Sequence, residues 1–309
     1  MSELRGARVL VTGGAGFLGR RVVARLEGAA ATPFVVRSTE VDLRERGATF
    51  DLLASLRPDH VVHCAAAGGG IGWMRLHPAT AYSTNVLMNT NVLDAAQAAG
   101  VRRLVGVSSA CAYAVDAPQP MREADVFLGE PEPTNGPYGL AKRAMLVHGR
   151  ALHEEHGFDC AFVVPTNLYG PEDDFGPRSH VVAALIRRFE EARREGAPEV
   201  VAWGTGRATR DLLYVDDAAD AIVLTLERGG GPAPINLGSG VERPIATIAR
   251  AVATAVGYEG AIAWDAARPD GMPRKVLDVR VAESRLGWRA RTSLDAGLAE
   301  AVTWYRRSF

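Results

Sequence analysis

Short apolar runs alternate with longer stretches of helical periodicity through the first half of the chain. The short runs are rich in β-branched residues, which is typical of strands buried on both faces. The longer stretches predict helices, and Gly100 follows one of them as a stop signal. The predicted strands are residues 8–12, 34–36, 60–65, 104–109 and 160–165, and the predicted helices are residues 16–26, 48–56, 79–99 and 137–156.

Strands and helices that alternate at this spacing predict a parallel sheet built from βαβ units. The predicted fold class is therefore α/β, with a Rossmann-type doubly wound parallel sheet and a smaller α/β substrate-binding lobe. Sheets of this kind bind ligands at the carboxyl ends of their strands, near the point where the strand order reverses. We expect the functional residues at that edge.

The pattern changes after Gly170, where a loop rich in proline, glycine and aspartate begins. Beyond this loop the chain is predicted to form a helix at residues 181–194, and the segments at residues 200–203 and 212–217 follow it. We expect the larger domain to comprise residues 1–170 with returning segments at about 211–240, and the smaller lobe to comprise residues 171–210 and 241–309.

Composition and charge narrow the classes of function. Of the 309 residues, 47% are apolar and 23% are charged, and the formal net charge is -1. A balance this close to zero gives no reason to expect nucleic acid or a membrane as a partner. Three cysteines without a CxxC pair indicate neither a disulfide framework nor a metal site. With no leader-like segment and no apolar run of membrane length, we expect a cytoplasmic protein.

The segment TGGAGFLG at residues 12–19 connects the first predicted strand to the first predicted helix. Glycine permits a tight turn and lets the backbone approach a pyrophosphate, and the helix start offers free N–H groups and the positive end of its dipole. A glycine motif alone is weak, but this one has the strand and helix that dinucleotide binding requires. The predicted cofactor site comprises Gly13, Gly16, Phe17, Leu18 and Gly19.

The residue that follows the second predicted strand bears on which dinucleotide binds. NAD-binding proteins usually place an acidic residue there, whereas this chain has Arg37 and no acid before Glu40. A guanidinium group suits a 2′-phosphate, so NADP is favoured and NAD stays an alternative. If Arg37 is only a solvated surface residue, this preference lapses.

The segment YGLAK places Tyr138 and Lys142 four residues apart, on one face of a predicted helix. A nearby ammonium group lowers the pKa of a phenol, and such a pair transfers a proton to or from a carbonyl or an alcohol. Tyr-x-x-x-Lys is common by chance. Here it accompanies a glycine loop and a strand that ends in Ser109, whose hydroxyl group can bind the same substrate oxygen.

With these motifs the chain resembles the extended short-chain dehydrogenase/reductase family. Further segments are similar to one branch of that family, the GDP-L-fucose synthases, and the similarity covers essentially the whole chain. These segments are EPTN at residues 132–135, PTNLYGP at 165–171, SHV at 179–181, VAWGTG at 201–206 and PDGMPRK at 269–275.

The resemblance implies a substrate and an order of chemistry. The substrate of that branch is GDP-4-keto-6-deoxy-D-mannose, whose carbonyl group acidifies the hydrogens on carbons 3 and 5. An acid and a base invert both centres, and NADPH delivers hydride to carbon 4. By resemblance, Ser109 and Tyr138 hold and protonate the carbonyl oxygen, while Lys142 tunes Tyr138 and binds the nicotinamide ribose. Cys111 and His180 match the base and the acid of the epimerisation.

Residue chemistry is compatible with the last two roles. Cys111 lies two residues after Ser109, so it can face the same pocket, and a thiolate beside a cation is a competent carbon base. His180 begins a predicted helix, and imidazole is an acid at neutral pH. On chemistry alone, Cys111 would be a small buried apolar residue, while for His180 an acid and a helix cap or surface residue are equally open.

The resemblance also implies further contacts and an assembly. The residues matched to cofactor contacts are Ala65, Lys142, Pro165, Asn167, Leu168 and His180. The residues matched to substrate contacts are Ser109, Asn167, Arg188, Trp203, Arg210 and Lys275. Among these, the two arginines and the lysine would approach the GDP portion, and the tryptophan would lie near the sugar or the base. A homodimer formed through two helices of the larger domain is also expected.

Several residues depart from the pattern of the branch. Where its members commonly read AAKVGG and then an asparagine-rich stretch, this chain has Ala67 in place of the lysine and WMR at residues 73–75 in place of asparagines. Asp174 stands where asparagine is usual, and SACAYA at residues 109–114 lacks the following proline. These departures leave the acid–base residues in place, and they leave open both the identity of the sugar and whether the reduction step occurs.

Two other functions stay open as alternatives. A related enzyme inverts carbon 5, or carbons 3 and 5, of a GDP-mannose-type sugar by oxidising carbon 4 transiently and returning the hydride, so that no NADPH is consumed overall. The second alternative is a non-catalytic NAD(P) sensor, in which the fold binds the cofactor and signals to a protein partner. The presence of the complete acid–base set disfavours the sensor.

Overall fold

The computed structural model describes residues 3–268 and 270–309, so Pro269 of the PDGMPRK segment lies outside the described residues. The strands are β1 (Arg8–Thr12), β2 (Thr32–Val36), β3 (His60–His63), β4 (Arg103–Val107), β5 (Cys160–Pro165), β6 (Asn167–Tyr169), β7 (Glu199–Trp203), β8 (Thr209–Arg210), β9 (Leu212–Tyr214), β10 (Ile235–Leu237), β11 (Arg243–Pro244), β12 (Ala261–Asp265) and β13 (Arg274–Lys275). The helices are α1 (Phe17–Gly28), α2 (Arg46–Leu56), α3 (Ile71–Leu76), α4 (Pro78–Ala98), α5 (Gly136–His156), α6 (Val181–Glu195), α7 (Val215–Arg228), α8 (Ile245–Val256), α9 (Arg280–Leu286) and α10 (Leu294–Ser308).

A six-stranded sheet in the order β10-β5-β4-β3-β1-β2 forms the centre of the larger part. All neighbouring strands in it are parallel. Helices α1 and α7 pack against one face, and α2, α4 and α5 cover the other. Burial on both faces is why these strands read as continuous apolar runs. The predicted Rossmann-type fold is confirmed, and the carboxyl ends of the strands share one edge.

The smaller α/β part has a core of its own. Helices α6, α8 and α10 pack together around aromatic residues that include Phe175, Phe189 and Tyr305. Short two- and three-stranded sheets accompany them, in the orders β12-β7 and β11-β8-β13. The exact division of the chain into two domains stays a prediction. In the described ranges, no helix is both long enough and apolar enough to cross a bilayer.

Two local features differ from the sequence prediction. Strand β4 ends at Val107, so Ser109 follows the strand and caps a short 3-10 turn. The segment at residues 65–75, to which no helix was assigned, contains helix α3, because Ile71 and Met74 are spaced to place apolar side chains on one helical face. The run at residues 212–217 comprises β9 and the start of α7, where two aspartates favour the beginning of a helix.

Candidate active site

The glycine turn between β1 and α1 forms one wall of an open cleft of about 790 Å³. Gly13 has φ of +68°, and a Cβ atom there would lie 2.7 Å from the backbone nitrogen of Ala65. A Cβ atom at Gly19 would lie 2.1 Å from the carbonyl oxygen of Gly13. No side chain caps the N-terminus of α1, so its N–H groups stay available to an anion. This backbone cradle fits the pyrophosphate of a dinucleotide.

Arg37 lines the same cleft directly after β2, together with Asp42 and Arg44. Asp42 and Arg44 form an ion pair with each other at 2.5 Å. The side chain of Arg37, by contrast, makes no ion pair with any described residue, while its backbone N–H group donates to the Glu40 carboxylate at 2.8 Å. An uncommitted guanidinium group in the cleft is suited to a phosphate substituent on the cofactor.

A chain of buried hydrogen bonds joins the glycine turn to helix α5. Because Thr12 and His63 are neighbours on the parallel strands β1 and β3, the Thr12 hydroxyl lies 2.6 Å from Nδ1 of His63. Nε2 of the same imidazole lies 3.0 Å from Oδ1 of Asn89, whose amide group donates to the carbonyl oxygen of Ala141 at 3.3 Å. Burial lowers the pKa of His63 to about 4, so the ring is neutral at pH 7 and has one N–H donor and one nitrogen acceptor.

A second cavity, of about 380 Å³, adjoins the cofactor cleft. Phe17, Leu18, Cys64 and Ala66 line both spaces. The structure brings most of the predicted site residues into the wall of this cavity: Ser109, Cys111, Tyr138, Lys142, Pro165, Asn167, Leu168, His180, Arg210 and Lys275. These residues come from segments that are far apart in the sequence, and the carboxyl edge of the sheet collects them.

Close packing at the start of α5 places Tyr138 and Lys142 at the floor of the cavity. A Cβ atom at Gly139 would lie 2.2 Å from the carbonyl oxygen of Cys111, so only glycine allows the helix to approach this turn so closely. The ammonium group of Lys142 donates to the carbonyl oxygen of Val107 at 2.8 Å and lies 5.7 Å from the centre of the Tyr138 ring. Backbone packing therefore fixes the tyrosine–lysine pair at the end of β4.

The electrostatics of this pair differ from the sequence prediction. Burial raises the pKa of Tyr138, and a hydrogen bond with Ser109 opposes the rise. Burial also lowers the pKa of Lys142 to about 8, while Cys64 opposes the change. The expected lowering of the tyrosine pKa is wrong, because loss of solvent around the hydroxyl group and the nearby Cys111 both raise it. The phenol is therefore held in its protonated form, which is the form a proton donor needs.

Cys111, Lys275 and His180 meet in the same cavity. Cys111 lies in the turn after β4, where its backbone N–H group donates to the Ser109 hydroxyl at 3.1 Å. The ammonium group of Lys275, on β13, lies 3.3 Å from the sulfur atom of Cys111. His180 immediately precedes α6. Desolvation lowers the pKa of His180, Asp174 opposes the change and Lys275 adds to it.

Comparison with known proteins identifies the family. The model of the NAD dependent epimerase/dehydratase family matches residues 9–238. The chain belongs to this family. A probable GDP-L-fucose synthase 1 of Oryza sativa subsp. japonica is 41% identical over 304 residues, which are 97% of this chain and 92% of that protein. The GDP-L-fucose synthase of Escherichia coli K12 is 39% identical, covering 96% of each chain.

A solved structure agrees with this assignment to the NAD dependent epimerase/dehydratase family. The GDP-L-fucose synthetase of Naegleria fowleri bound to NADP has a TM-score of 0.90 and 26% identity, and the match covers 100% of this chain and 96% of that chain. The predicted resemblance is confirmed, and the chain is a nicotinamide-dependent enzyme of this family. The roles assigned to individual residues stay predictions.

Several residues that line the second cavity were not predicted as site residues from the sequence. Glu132, Asn135, Tyr113 and Met272 line the cavity, but they were noted in the sequence only as parts of longer segments. His63 and Asn89 of the buried hydrogen-bond chain were also missed. The sequence around His63 gives no sign that its ring links the glycine turn to α5, because the link depends on which strands lie side by side in the sheet.

The glycine-rich segment at residues 68–70, located between the departures from the branch at Ala67 and at residues 73–75, lies against Tyr138 and Ser179. A Cβ atom at Gly68 would lie 3.6 Å from the Tyr138 ring, and one at Gly70 would lie 2.3 Å from the carbonyl oxygen of Ser179. The backbone N–H group of Gly70 also donates to the carbonyl oxygen of Arg178 at 2.8 Å. This segment therefore packs between Tyr138 and the two residues that precede His180.

Two of the predicted substrate residues lie apart from the cavity wall. The guanidinium group of Arg188 lies 5.4 Å from the centre of the Trp203 ring, and that of Arg268 lies 5.2 Å from it. Arg188 also donates to the carbonyl oxygen of Val201 at 3.2 Å. Arg210 does line the cavity, with its guanidinium group held by the carbonyl oxygens of the loop before β13. The structure thus separates the predicted nucleotide contacts into a cavity group and an outer arginine–tryptophan cluster.

Proposed function

We propose that the chain is an NADP-dependent epimerase and reductase that acts on a GDP-linked 4-keto-6-deoxyhexose. It inverts carbons 3 and 5 of the sugar and then reduces carbon 4, as the names of its GDP-L-fucose synthase relatives suggest. The observation that carries the proposal is that Cys111 and His180 line the same cavity as Ser109 and Tyr138. A simple reductase needs the second pair alone, whereas inversion of a carbon needs an additional base and acid.

The residues of the cavity account for the epimerisation. Cys111 takes a proton from the carbon beside the carbonyl group, so that a C–H bond breaks, an S–H bond forms and the electron pair moves to the carbonyl oxygen. The hydroxyl groups of Ser109 and Tyr138 donate hydrogen bonds to this oxygen and stabilise its developing negative charge. His180 then gives a proton to the opposite face of the same carbon, and the electron pair returns.

The same oxygen serves the reduction. When bound, the reduced nicotinamide supplies the hydride that carbon 4 receives. Tyr138 gives its proton to the oxygen on carbon 4 as the hydride arrives, so that the alcohol forms, and the buried ammonium group of Lys142 compensates the phenolate left behind. Burial keeps Tyr138 protonated until that moment, and the charge of Lys142 offsets the cost of releasing the proton.

Choice of NADP and of a GDP-linked sugar rests on charged side chains. Arg37 offers an unpaired guanidinium group in the cofactor cleft, and a neighbour of the same fold binds NADP. Arg210 adds positive charge to the second cavity, which we call the sugar cavity, and Arg188 with Trp203 is placed to receive the more distant part of the nucleotide. The cytoplasmic location expected from the sequence stays a prediction.

A homodimer is part of this proposal. Helices α4 and α5 pack side by side on one face of the sheet. Both carry exposed apolar side chains, namely Tyr82, Leu87, Leu140 and Val147. Two such helices from each of two chains would bury this surface, and analytical ultracentrifugation would measure the resulting mass. A monomer at micromolar concentration would contradict this part of the proposal.

One incubation tests the catalytic proposal. The enzyme, NADPH and GDP-4-keto-6-deoxy-D-mannose are combined in deuterated water, absorbance follows NADPH, and mass spectrometry reads the product. We expect one NADPH oxidised per sugar and deuterium at two carbons, and Tyr138→Phe, which keeps the ring, should lose the reduction. An unchanged absorbance with this substrate would refute the synthase function.

The altered segment at residues 67–75 favours a second candidate. Because it lies against Tyr138 and Ser179, its substitutions change the surroundings of the sugar rather than a distant surface. An epimerase that oxidises carbon 4 transiently and returns the hydride would use the same acid–base residues. It would incorporate deuterium into a GDP-mannose-type sugar without net loss of NADPH, so the same assay with that sugar separates the two functions.

A further inference from the structure

Lysine is almost absent from this chain. Only two of the 35 basic side chains, Lys142 and Lys275, are lysines, and all the others are arginines. Both lysines line the sugar cavity, and both are buried, with 1% and 8% of their surface exposed. Arginine therefore serves wherever a surface cation or an ion pair is needed, and lysine occurs only in the cavity. Lys142 belongs to the tyrosine pair, which leaves the purpose of Lys275 to be explained.

The nearest side-chain partner of Lys275 is the sulfur atom of Cys111, at 3.3 Å. The backbone holds both partners in place. Strand β13 pairs with β8, and the carbonyl oxygen of Lys275 accepts from the N–H group of Asp211 at 3.0 Å. On the other side, the Cys111 turn is fixed by the Ser109 hydroxyl and by the close approach of Gly139. The fold thus fixes the backbone positions of both residues, and from these positions the two side chains meet.

The other charged groups near Cys111 do not replace this contact. The guanidinium group of Arg210 donates to the carbonyl oxygens of Met272 and Asp270, at 2.7 Å and 3.0 Å, so the loop holds it in place. Its charge also interacts with Cys111, but it makes no hydrogen bond to the sulfur atom. Tyr138 is held in its neutral form by burial. Glu132 and His180 also line the cavity, and neither brings a fixed positive charge to the sulfur atom. Lys275 is the cation that directly contacts it among the described residues.

The chemistry explains why this cation is a lysine. An ammonium group is a compact charge that can approach a sulfur atom end-on, whereas a planar guanidinium group is shaped for carboxylates and phosphates. If Lys275 served only to bind a diphosphate, an arginine would suit the task, and all 33 basic side chains of this chain other than the two lysines are arginines. A thiolate is the nucleophilic and basic form of cysteine, and neighbouring lysine favours it.

The geometry points to Lys275 as a positioning residue that holds the side chain of Cys111 as a thiolate ready to take a proton from the sugar. What the thiolate then does rests on the proposed function: the carbon beside the carbonyl loses a proton, the sulfur atom gains it, and the electron pair moves to the carbonyl oxygen. Lys275 keeps its proton throughout and acts only through Cys111.

Alkylation of Cys111 tests this role without any sugar. Iodoacetamide reacts with thiolates, and peptide mass spectrometry would follow Cys111 in the full chain between pH 6 and pH 9. Burial raises the pKa of both Cys64 and Cys160 to about 12, so these two cysteines serve as slow internal standards. Lys275→Met removes the ammonium group, and Arg274→Met is the matched control because it removes an exposed cation from the same strand.

We expect alkylation of Cys111 at pH 7 to slow roughly ten-fold in Lys275→Met and to recover at higher pH, since loss of the neighbouring charge lowers the thiolate fraction. Arg274→Met should keep the wild-type profile, and Lys275→Arg should restore it in part. An unchanged Cys111 profile in Lys275→Met, accompanied by a higher KM for the GDP-sugar alone, would overturn the inference and assign Lys275 to substrate binding. Lys275→Gln serves if circular dichroism shows that the methionine variant is unfolded.

The same variants separate this inference from the proposed function. With GDP-4-keto-6-deoxy-D-mannose in deuterated water, kcat for deuterium incorporation into the sugar should fall in Lys275→Met, while KM for the sugar changes little. Absence of deuterium incorporation by the wild-type enzyme would show that the proposed substrate is wrong, yet the alkylation profile would still decide the role of Lys275.

Discussion

Replacing Lys142 with methionine should abolish the reduction and yet stabilise the fold at neutral pH. The side chain is 1% exposed, and burial lowers its pKa from 10.5 to about 8. At about 1.4 kcal/mol per pKa unit, keeping this lysine charged at pH 7 costs the folded state about 3 kcal/mol. Methionine has a similar length and no charge, so it removes this cost.

One loss opposes the gain. The ammonium group donates to the carbonyl oxygen of Val107 at 2.8 Å, and leaving this buried oxygen without a donor costs about 1–3 kcal/mol. The net stabilisation at pH 7 is therefore expected to be about 1 kcal/mol. The pH dependence is the sharper test. Between pH 8 and 10.5 the unfolded chain binds the proton of Lys142 more tightly than the folded protein does, so wild-type stability rises with pH there.

Urea unfolding monitored by tryptophan fluorescence at pH 7 and pH 9.5 would measure this effect. Through Lys142 the wild-type protein should gain about 2 kcal/mol between these two values, and the methionine variant should lack that gain. Tyr138→Phe is the matched control, because it removes the other member of the pair and leaves the ammonium group in place. If the stability difference between Lys142→Met and the wild type is the same at both values, burial does not set the proton affinity of this lysine, and the reasoning fails.

Three further predictions concern the cofactor cleft, the helix contact and the buried hydrogen-bond chain. Arg37→Ser should reduce the preference for NADP over NAD roughly ten- to hundred-fold in kcat/KM, since a charged hydrogen bond contributes about 1.5–3 kcal/mol; an unchanged ratio would remove Arg37 from the cofactor site. Gly139→Ala places a Cβ atom 2.2 Å from the carbonyl oxygen of Cys111, so it should lower the free energy of unfolding by about 1–3 kcal/mol and slow the incorporation of deuterium into the sugar; wild-type values for both would contradict the close approach. Burial lowers the pKa of His63 from 6.5 to about 4, so wild-type stability should fall by up to about 3 kcal/mol as the pH drops through this interval. Calorimetry of His63→Leu should show a protein that is less stable at pH 7 and lacks that acid-dependent loss. A stability profile that runs parallel to that of the wild type between pH 4 and pH 6.5 would refute the prediction.

Sequence periodicity was sufficient for the fold because the central strands are buried on both faces. Such strands must be apolar throughout, and the helices between them must each cover one face, so both periodicities are visible without tertiary information. The errors fall where side-chain contacts decide the local structure. Helix α3 is only six residues long and follows three glycines, so its periodicity is too short to recognise. The end of β4 at Val107 depends on the capping hydrogen bond of Ser109, which propensity does not register.

The active site was predictable only as far as its residues occur in local motifs. The glycine turn and the tyrosine–lysine pair each lie within a few residues of sequence, so their chemistry can be inferred from spacing alone. The contact of Cys111 with Lys275 spans 164 positions, and it exists because β13 pairs with β8 beside the turn that follows β4. Likewise, Thr12 and His63 meet because parallel strand register places them side by side. One signal was nevertheless present in the composition: in a chain that uses arginine for every other cation, a retained lysine marks a position where a compact ammonium group is required. That argument applies to Lys142 and Lys275 equally, and both line one cavity, which is why we propose a separate proton transfer for each of them.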